Sequence, residues 1–345
     1  MRVSRFARLF LVLVVLLFGA SSVVAQNNCV PVSWPDSKPV WSMCFIPPNL
    51  SSGPDGSGLE LHDVQYKGQE VLYKANIPVL NVLYLPGGCG GTYLSFRDWA
   101  SELWPFQADN VVSPGIAEPS TPPLTVCDHP GSDSGSFSGV AIQKGTDSLT
   151  LTTQMAAGWY RYIQKWIFYP DGSFSPQFAF TAIDAACIYH VHTHHVYWRL
   201  NFDIDDYGSD VVERGPTSIS APCCWTPITK ETSDKRATPF SNTPLWRVRS
   251  KATNRGYVIV DNPADGVADG WGDKDRWVLA YHQDEEDDGG ATSGKRGDAI
   301  HIDPFLNGEN VNGADIVVWY HAQHQHKAPV ACISVGPTFV PFGSW

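Results

Sequence analysis

From residue 58 to residue 326 the chain is a succession of short segments in which apolar and polar residues alternate, most of them closed by Gly, Pro or Asp turns. A period of two buries one face of a strand, so this pattern demands sheets. Gly58 to Tyr66, a Lys67-Gly68 turn and Gln69 to Ala75 read as a hairpin. Ser148 to Ala157, Tyr160 to Tyr169 and Ser173 to Ala182 read as three strands, the last two joined by Pro170-Asp171-Gly172. A long strand from His190 to Asp205 follows, then shorter ones at Trp246 to Lys251, Gly256 to Asp261 and Trp277 to Tyr281, and a last at Asp315 to His326. Convincing amphipathic helices are missing, and Trp99 to Trp104 is the one short candidate. The expected fold class is mostly β, a large antiparallel β-sandwich.

Arg2, Arg5 and Arg8 precede an apolar run from Leu9 to Ala20, with Val23 and Ala25 where a signal peptidase reads. Residues 1–25 are expected to be a secretory signal peptide, which places the protein outside the cytoplasm, secreted or periplasmic. No later stretch is long enough to span a bilayer, so no membrane span is expected after cleavage. Removing residues 1–25 takes three Arg and no acid from 24 basic and 35 acidic residues, leaving a net charge of −14. Nucleic acid needs a basic footprint and is excluded as a partner. All eight Cys lie beyond the signal segment, an even number that suggests disulfides in an exported chain, with Cys29–Cys44 a plausible local bridge. Residues 26–55 are Pro/Ser-rich and read as an N-terminal lead-in; residues 56–345 read as one β domain. The five acids from Asp284 to Asp288 read as a solvated loop.

The segment Tyr189-His190-Val191-His192-Thr193-His194-His195 carries the most chemistry. In a strand, His190, His192 and His194 share a face with Val196, Trp198, Leu200, Phe202 and Ile204, an apolar and therefore buried face. Imidazoles that point into an apolar interior need partners, and a metal supplies them; imidazole suits copper and zinc. A third ligand is expected from His321, His324 or His326 on the Asp315 strand. If Asp315 faces solvent, then Ile316, Val318, Tyr320, His324 and His326 face inward. The plainer alternative is a set of scattered, hydrogen-bonded histidines.

At this point the sequence resembles a known family, the copper amine oxidases. Ser57 to Val64 followed by Val71 to Ala75 is similar to the opening of that family's catalytic domain. Tyr160 to Gly172 resembles the strand that carries its cofactor tyrosine. His192-Thr193-His194 with Arg199-Leu200 and Asp203-Ile204-Asp205 resembles its copper strand, and Asp315 to Tyr320 with His326 resembles the strand of the third ligand. These landmarks occur in family order and cover residues 57 to about 330.

The resemblance implies a β-sandwich that forms homodimers, with copper on His192, His194 and His326 and a topaquinone made from Tyr160. It implies Asp98 as catalytic base, fourteen residues after a strand-end Tyr84, with Phe96 as an aromatic gate. It implies a small primary amine and oxygen as substrates. It also implies a peripheral calcium site using the side chains of Asn201, Asp203 and Asp315 and the carbonyls of Phe202 and Ile316. The family flanks its tyrosine with Asn and an acid, where this chain has Trp159 and Arg161. It has Asp where Asn201 stands, and glycines where Trp99 to Glu102 follow Asp98. Two other functions compete with an oxidase: a non-catalytic copper-binding protein, motivated by Trp159 and Arg161, and a structural or surface-assembly protein on the same fold.

Overall fold

The computed structural model describes residues 28–85, 89, 94–129, 132–183, 185–221, 223–269, 274–288, 302–327 and 332–345. The expected signal peptide lies outside the described residues, and so does the side chain of His326. The strands in chain order are β1 (Val30–Trp34), β2 (Trp41–Ile46), β3 (Glu60–Tyr66), β4 (Gln69–Tyr84), β5 (Leu94–Asp98), β6 (Val111–Ser113), β7 (Ile116–Ala117), β8 (Val140–Lys144), β9 (Leu149–Ala157), β10 (Tyr160–Phe168) and β11 (Phe174–Ala182). They continue as β12 (His192–Phe202), β13 (Asp210–Arg214), β14 (Thr226–Pro227), β15 (Thr232–Asp234), β16 (Trp246–Ser250), β17 (Gly256–Val260), β18 (Arg276–Ala280), β19 (Asn312–Ala314), β20 (Ile316–His326) and β21 (Thr338–Phe342). Helical structure among the described residues is confined to short 3-10 turns, none long and apolar enough to cross a membrane.

Two large sheets result. One runs β1-β2-β3-β4-β12-β20-β18-β15, with β5 added to β4; the other runs β14-β13-β16-β17-β21-β11-β10-β9-β8-β7-β6, with β19 added to β13. Pairing is antiparallel apart from β7 with β8. The inner faces meet in one core, to which β12 contributes Val196, Trp198, Leu200 and Phe202, and β10 contributes Tyr160, Tyr162, Trp166 and Phe168. Trp41, Trp166, Trp198 and Trp246 are among its fully buried side chains, and each such aromatic stabilises the fold by about 2–3 kcal/mol through area removed from water.

The central strands are covered on their outer face as well. Tyr197, Trp277, Val317 and Trp319 form a second apolar layer with Ile302. Arg199, on the face of β12 opposite the core, is 1% exposed. Its guanidinium donates to the carbonyls of Glu285 and His282 and lies 5.5 Å from the Tyr281 ring. The acidic run is therefore not a solvated loop. Asp288 pairs with Arg97 at 2.6 Å and Glu286 with Lys74 at 2.7 Å, and both bases are nearly buried.

Two further expectations are corrected. The Pro/Ser-rich lead-in contains the hairpin β1-β2 at the edge of the first sheet. Val32, Trp34, Trp41, Met43 and Phe45 alternate into the core, a period of two broken only by the turn between them. Trp99 to Trp104 forms no helix, and its backbone is drawn instead to strand edges, with Trp104 N–H donating to Gln154 O and Ala156 N–H to Glu102 O. Three disulfides are formed: Cys29–Cys44, Cys89–Cys187 and Cys127–Cys332. Cys223 and Cys224 are exposed and free, so the expectation of bridges holds for six of the eight Cys. The short Cys29–Cys44 loop alone restrains the unfolded chain by about 3 kcal/mol in a chain-entropy account.

Candidate functional site

One end of the intersheet core is polar. Its position follows from a bulge in β4, where Arg199 and Tyr197 of β12 face Asn76 and Val79. The extra residue switches the strand's parity. Ala75 and Ile77 face the core before it, and Leu80, Val82 and Tyr84 face the core after it. Without the bulge Tyr84 would point to the other side of the sheet. Beyond it, Tyr84 and Val82 stand opposite His192 and His194 on one side of β12, and His326 and His324 stand opposite them on the other. Directly paired residues share a face, so His192, His194 and His324 form one cluster on the inner face. His190 is not part of it. The strand begins at His192, and His190 is exposed, its carbonyl 2.7 Å from His192 Nδ1. That carbonyl only accepts, so His192 carries its proton on Nδ1 and its lone pair on Nε2.

The second sheet brings tyrosines to the same place. Tyr160 opens β10, and its hydroxyl lies 2.5 Å from that of Tyr84. Its ring centroid is 4.5 Å from His194 and 5.6 Å from His192, and the two imidazoles are 5.1 Å apart. Tyr162, two residues on and on the same face, donates to Asp98, and its oxygen lies 3.2 Å from His194 Nδ1. Asp98 ends β5 opposite Leu80 and is 8% exposed, neither a surface carboxylate nor a helix cap. Burial drives its pKa up to about 7, against the Tyr162 hydrogen bond and Arg97. Burial likewise raises Tyr84 and Tyr160 above the ordinary phenol range and lowers His192 and His324, which keeps those imidazoles neutral.

A cavity of about 150 Å³ opens on this cluster, lined by Tyr84, Phe96, Asp98, Trp99, Trp159 and Tyr160 among others. Two roomier grooves, of about 370 and 490 Å³, contain no histidine. Trp159 stands beside Tyr160 with ring centroids 6.1 Å apart, and its indole N–H reaches the Tyr84 and Tyr160 hydroxyls. The bulky residue thus supplies a donor beside the Tyr160 hydroxyl. Arg161 points the other way, held by Asp133 at 2.8 and 2.9 Å and stacked 4.0 Å over the Trp104 ring.

The donor chemistry suits copper: buried neutral imidazoles side by side, one fixed by a carbonyl as metal-bound histidines commonly are. Among the described residues, no group of three or more His, Cys, Asp or Glu is disposed to hold a metal. The third expected ligand, His326, lies outside that description by its side chain. On the outer face lie Asn201 in β12, Asp203 one residue beyond that strand and Asp315 one residue before β20, with Asn201 opposite Val317 and Phe202 opposite Ile316. Asn201 Oδ1, Asp203 Oδ1 and Asp315 Oδ1 are each buried without a hydrogen-bond donor. Burial, then Asp315, Glu70 and Asp206, lift Asp203 to about 7. Oxygens left this way suit a hard cation such as calcium. Tyr162 was not singled out as a site residue in the sequence; its only signal is a spacing of two from Tyr160.

No protein-family model matches the chain, and no curated protein matches it. Solved structures do. A copper-containing benzylamine oxidase from Hansenula polymorpha is 15% identical with a TM-score of 0.62, over 88% of this chain and 59% of that one. The lysyl oxidase of Pichia pastoris is 14% identical, with a TM-score of 0.60, over 88% and 51%. An Aspergillus nidulans amine oxidase is 15% identical, with a TM-score of 0.56, over 88% and 50%. The chain thus spans between half and three-fifths of these proteins' lengths, and at such identities the likeness concerns the fold: this is the β-sandwich found in those amine oxidases.

Proposed function

We propose that the protein is an exported copper-dependent oxidase of small primary amines that uses a quinone made from Tyr160. The observation that carries this reading is the convergence of residues from four strands of two sheets: Tyr160, Tyr84 and Asp98 line one cavity, and His192 and His194 pack against the Tyr160 ring. His192, His194 and His326 would hold copper. Copper with oxygen supplies the oxidation of the tyrosine, and the resulting quinone supplies the electron sink for the amine. The remaining work falls to the chain. Tyr84 and the Trp159 N–H fix the oxygen of residue 160. The aromatic walls exclude water around the amine. Asp98, with a pKa near neutrality, takes the amine's α-proton, and the Tyr162 hydroxyl orients the carboxylate. Calcium on Asn201, Asp203 and Asp315 would brace the outer side of the same two strands. The products would be an aldehyde, ammonia and hydrogen peroxide, and the assembly a homodimer.

Mass spectrometry of the peptide containing Tyr160, after aerobic copper loading, tests the reading. A mass gain at Tyr160 with a visible chromophore is expected, both absent from Tyr160→Phe. An unmodified Tyr160 in copper-loaded protein would favour the second reading, a copper-binding protein without turnover, for which Trp159 and Arg161 in place of the family's flanking residues speak.

A further inference from the structure

Six of the eight cysteines are bridged, and the other two, Cys223 and Cys224, are adjacent in the chain, free and exposed. Successive side chains of an extended strand point to opposite sides, which would part the two sulfurs. Cys224 instead has a φ of 81°, a left-handed conformation that residues other than Gly rarely adopt. It breaks the alternation, and the Cys224 thiol hydrogen-bonds to the Cys223 sulfur. The turn is held from the residues that follow it. Trp225 packs so closely on Gly215 that a Cβ there would lie 2.4 Å from the ring, and the Arg247 guanidinium covers the same ring at 4.4 Å. Thr226 and Pro227 form β14, paired with Arg214 and Glu213 at the end of the second sheet.

Two thiols in contact on a restrained turn react as a unit. One thiolate attacks a sulfur of an external disulfide R–S–S–R, forms a mixed disulfide and releases RS⁻. The neighbouring thiolate then attacks the protein sulfur of that mixed disulfide, closes a Cys223–Cys224 bond and releases the second RS⁻. The pair loses two electrons, the external disulfide gains them, and the two thiol protons end on the released thiols. The second attack is intramolecular and already positioned, so it outruns capture by another external molecule. The bond is also easy to reopen. The Cys223–Cys224 peptide is trans, which sets the two Cα atoms about 3.8 Å apart, below the roughly 4.4–6.8 Å that disulfides usually span. The three formed bridges span 5.4, 5.0 and 5.5 Å between Cα atoms. Strained and exposed disulfides are the ones that thiols reduce first.

We propose that Cys223 and Cys224 form a reversible redox-modification site, closed to a vicinal disulfide by low-molecular-weight disulfides and reopened by the corresponding thiols, while the three structural bridges stay intact. The site shares no residue with the histidine and tyrosine cluster and is independent of any copper chemistry there.

Reduced and oxidised glutathione are the probes, applied to the whole folded protein in wild type, Cys223→Ser and Cys224→Ser. Both side chains are exposed, so neither substitution disturbs the core. After treatment with reduced glutathione, wild type should titrate two thiols, Cys223 and Cys224. Oxidised glutathione should then remove both. Mass spectrometry should show the loss of two hydrogens, no retained glutathione, and an internal bond in the peptide that carries both residues. Each Ser variant should instead retain one glutathione, because no neighbouring thiol remains to expel it. Returning wild type to reduced glutathione should restore the two thiols and no others. Wild type that keeps glutathione bound, or that links to a second chain through these residues, would overturn the ring. So would a pair that does not react with oxidised glutathione. Reduction of any structural bridge alongside the pair would overturn the selectivity argued from the Cα spacing.

Discussion

Asp98→Asn in the metal-free protein should become steadily more stable than wild type as the pH is raised from about 4 to about 8. Burial lifts the Asp98 carboxyl from its ordinary 3.8 to about 7. Between those values the native state keeps a proton that the unfolded chain has released. Wild-type stability is therefore fully present below about 4 and falls as the pH rises through about 7. With about 1.4 kcal/mol for each pH unit across that interval, ionising Asp98 costs the fold about 4 kcal/mol. Asparagine carries no charge to desolvate and keeps an oxygen for the Tyr162 hydroxyl, so it escapes the cost. The assay is urea unfolding followed by tryptophan fluorescence, in chelator, at steps across the range for both proteins. The stability difference between them should widen by several kcal/mol with increasing pH, spread evenly over the interval between about 4 and about 7, and level off above it. A difference that stays constant would mean that Asp98 ionises as a solvated carboxylate does, and the argument from burial would fail. The same variant should abolish amine turnover while leaving any Tyr160 chromophore in place.

The inner histidines should bind about one copper per chain, and His192→Ala with His194→Ala should lose it, as read by metal analysis after dialysis with Cu(II); retained copper would remove them as ligands. Calcium should raise the thermal midpoint of wild type, by the equivalent of about 2.7 kcal/mol at a hundredfold excess over Kd. It should leave an Asp203→Ala, Asp315→Ala double variant unmoved, and equal shifts in both would dismiss the outer site. Thiol titration of the native protein should find two reactive groups, Cys223 and Cys224, with no increase on unfolding without reductant. More thiols on unfolding would contradict the three bridges.

Strand identity and strand faces were legible in the sequence because both are local. A period of two fixes which side chains leave together, and that alone places His192 and His194 with Trp198 and Leu200, and Tyr160 with Tyr162. The turn residues Lys67-Gly68 and Pro170-Asp171-Gly172 sit where the chain reverses. The spacing of Tyr84 and Asp98 became a shared cavity. What the sequence left open was whatever depends on register between distant strands. Only pairing of β12 with β20 sets His326 opposite His192 and His324 opposite His194. Only the bulge in β4 turns Tyr84 inward, and a bulge has no fixed residue signature here. The acidic run looked solvated because its partners, Lys74 and Arg97, lie about 190 to 210 residues away. The hairpin in the Pro/Ser-rich segment was obscured by composition, although its five core residues keep the period. His195 and His321 were visible as residues but not as a pair. Their pairing follows from which acceptor each nitrogen meets, the carbonyl of Lys274 for His321 Nδ1 and His321 Nε2 for His195 Nδ1, and hydrogen-bond direction exists only once the chain has folded those groups together.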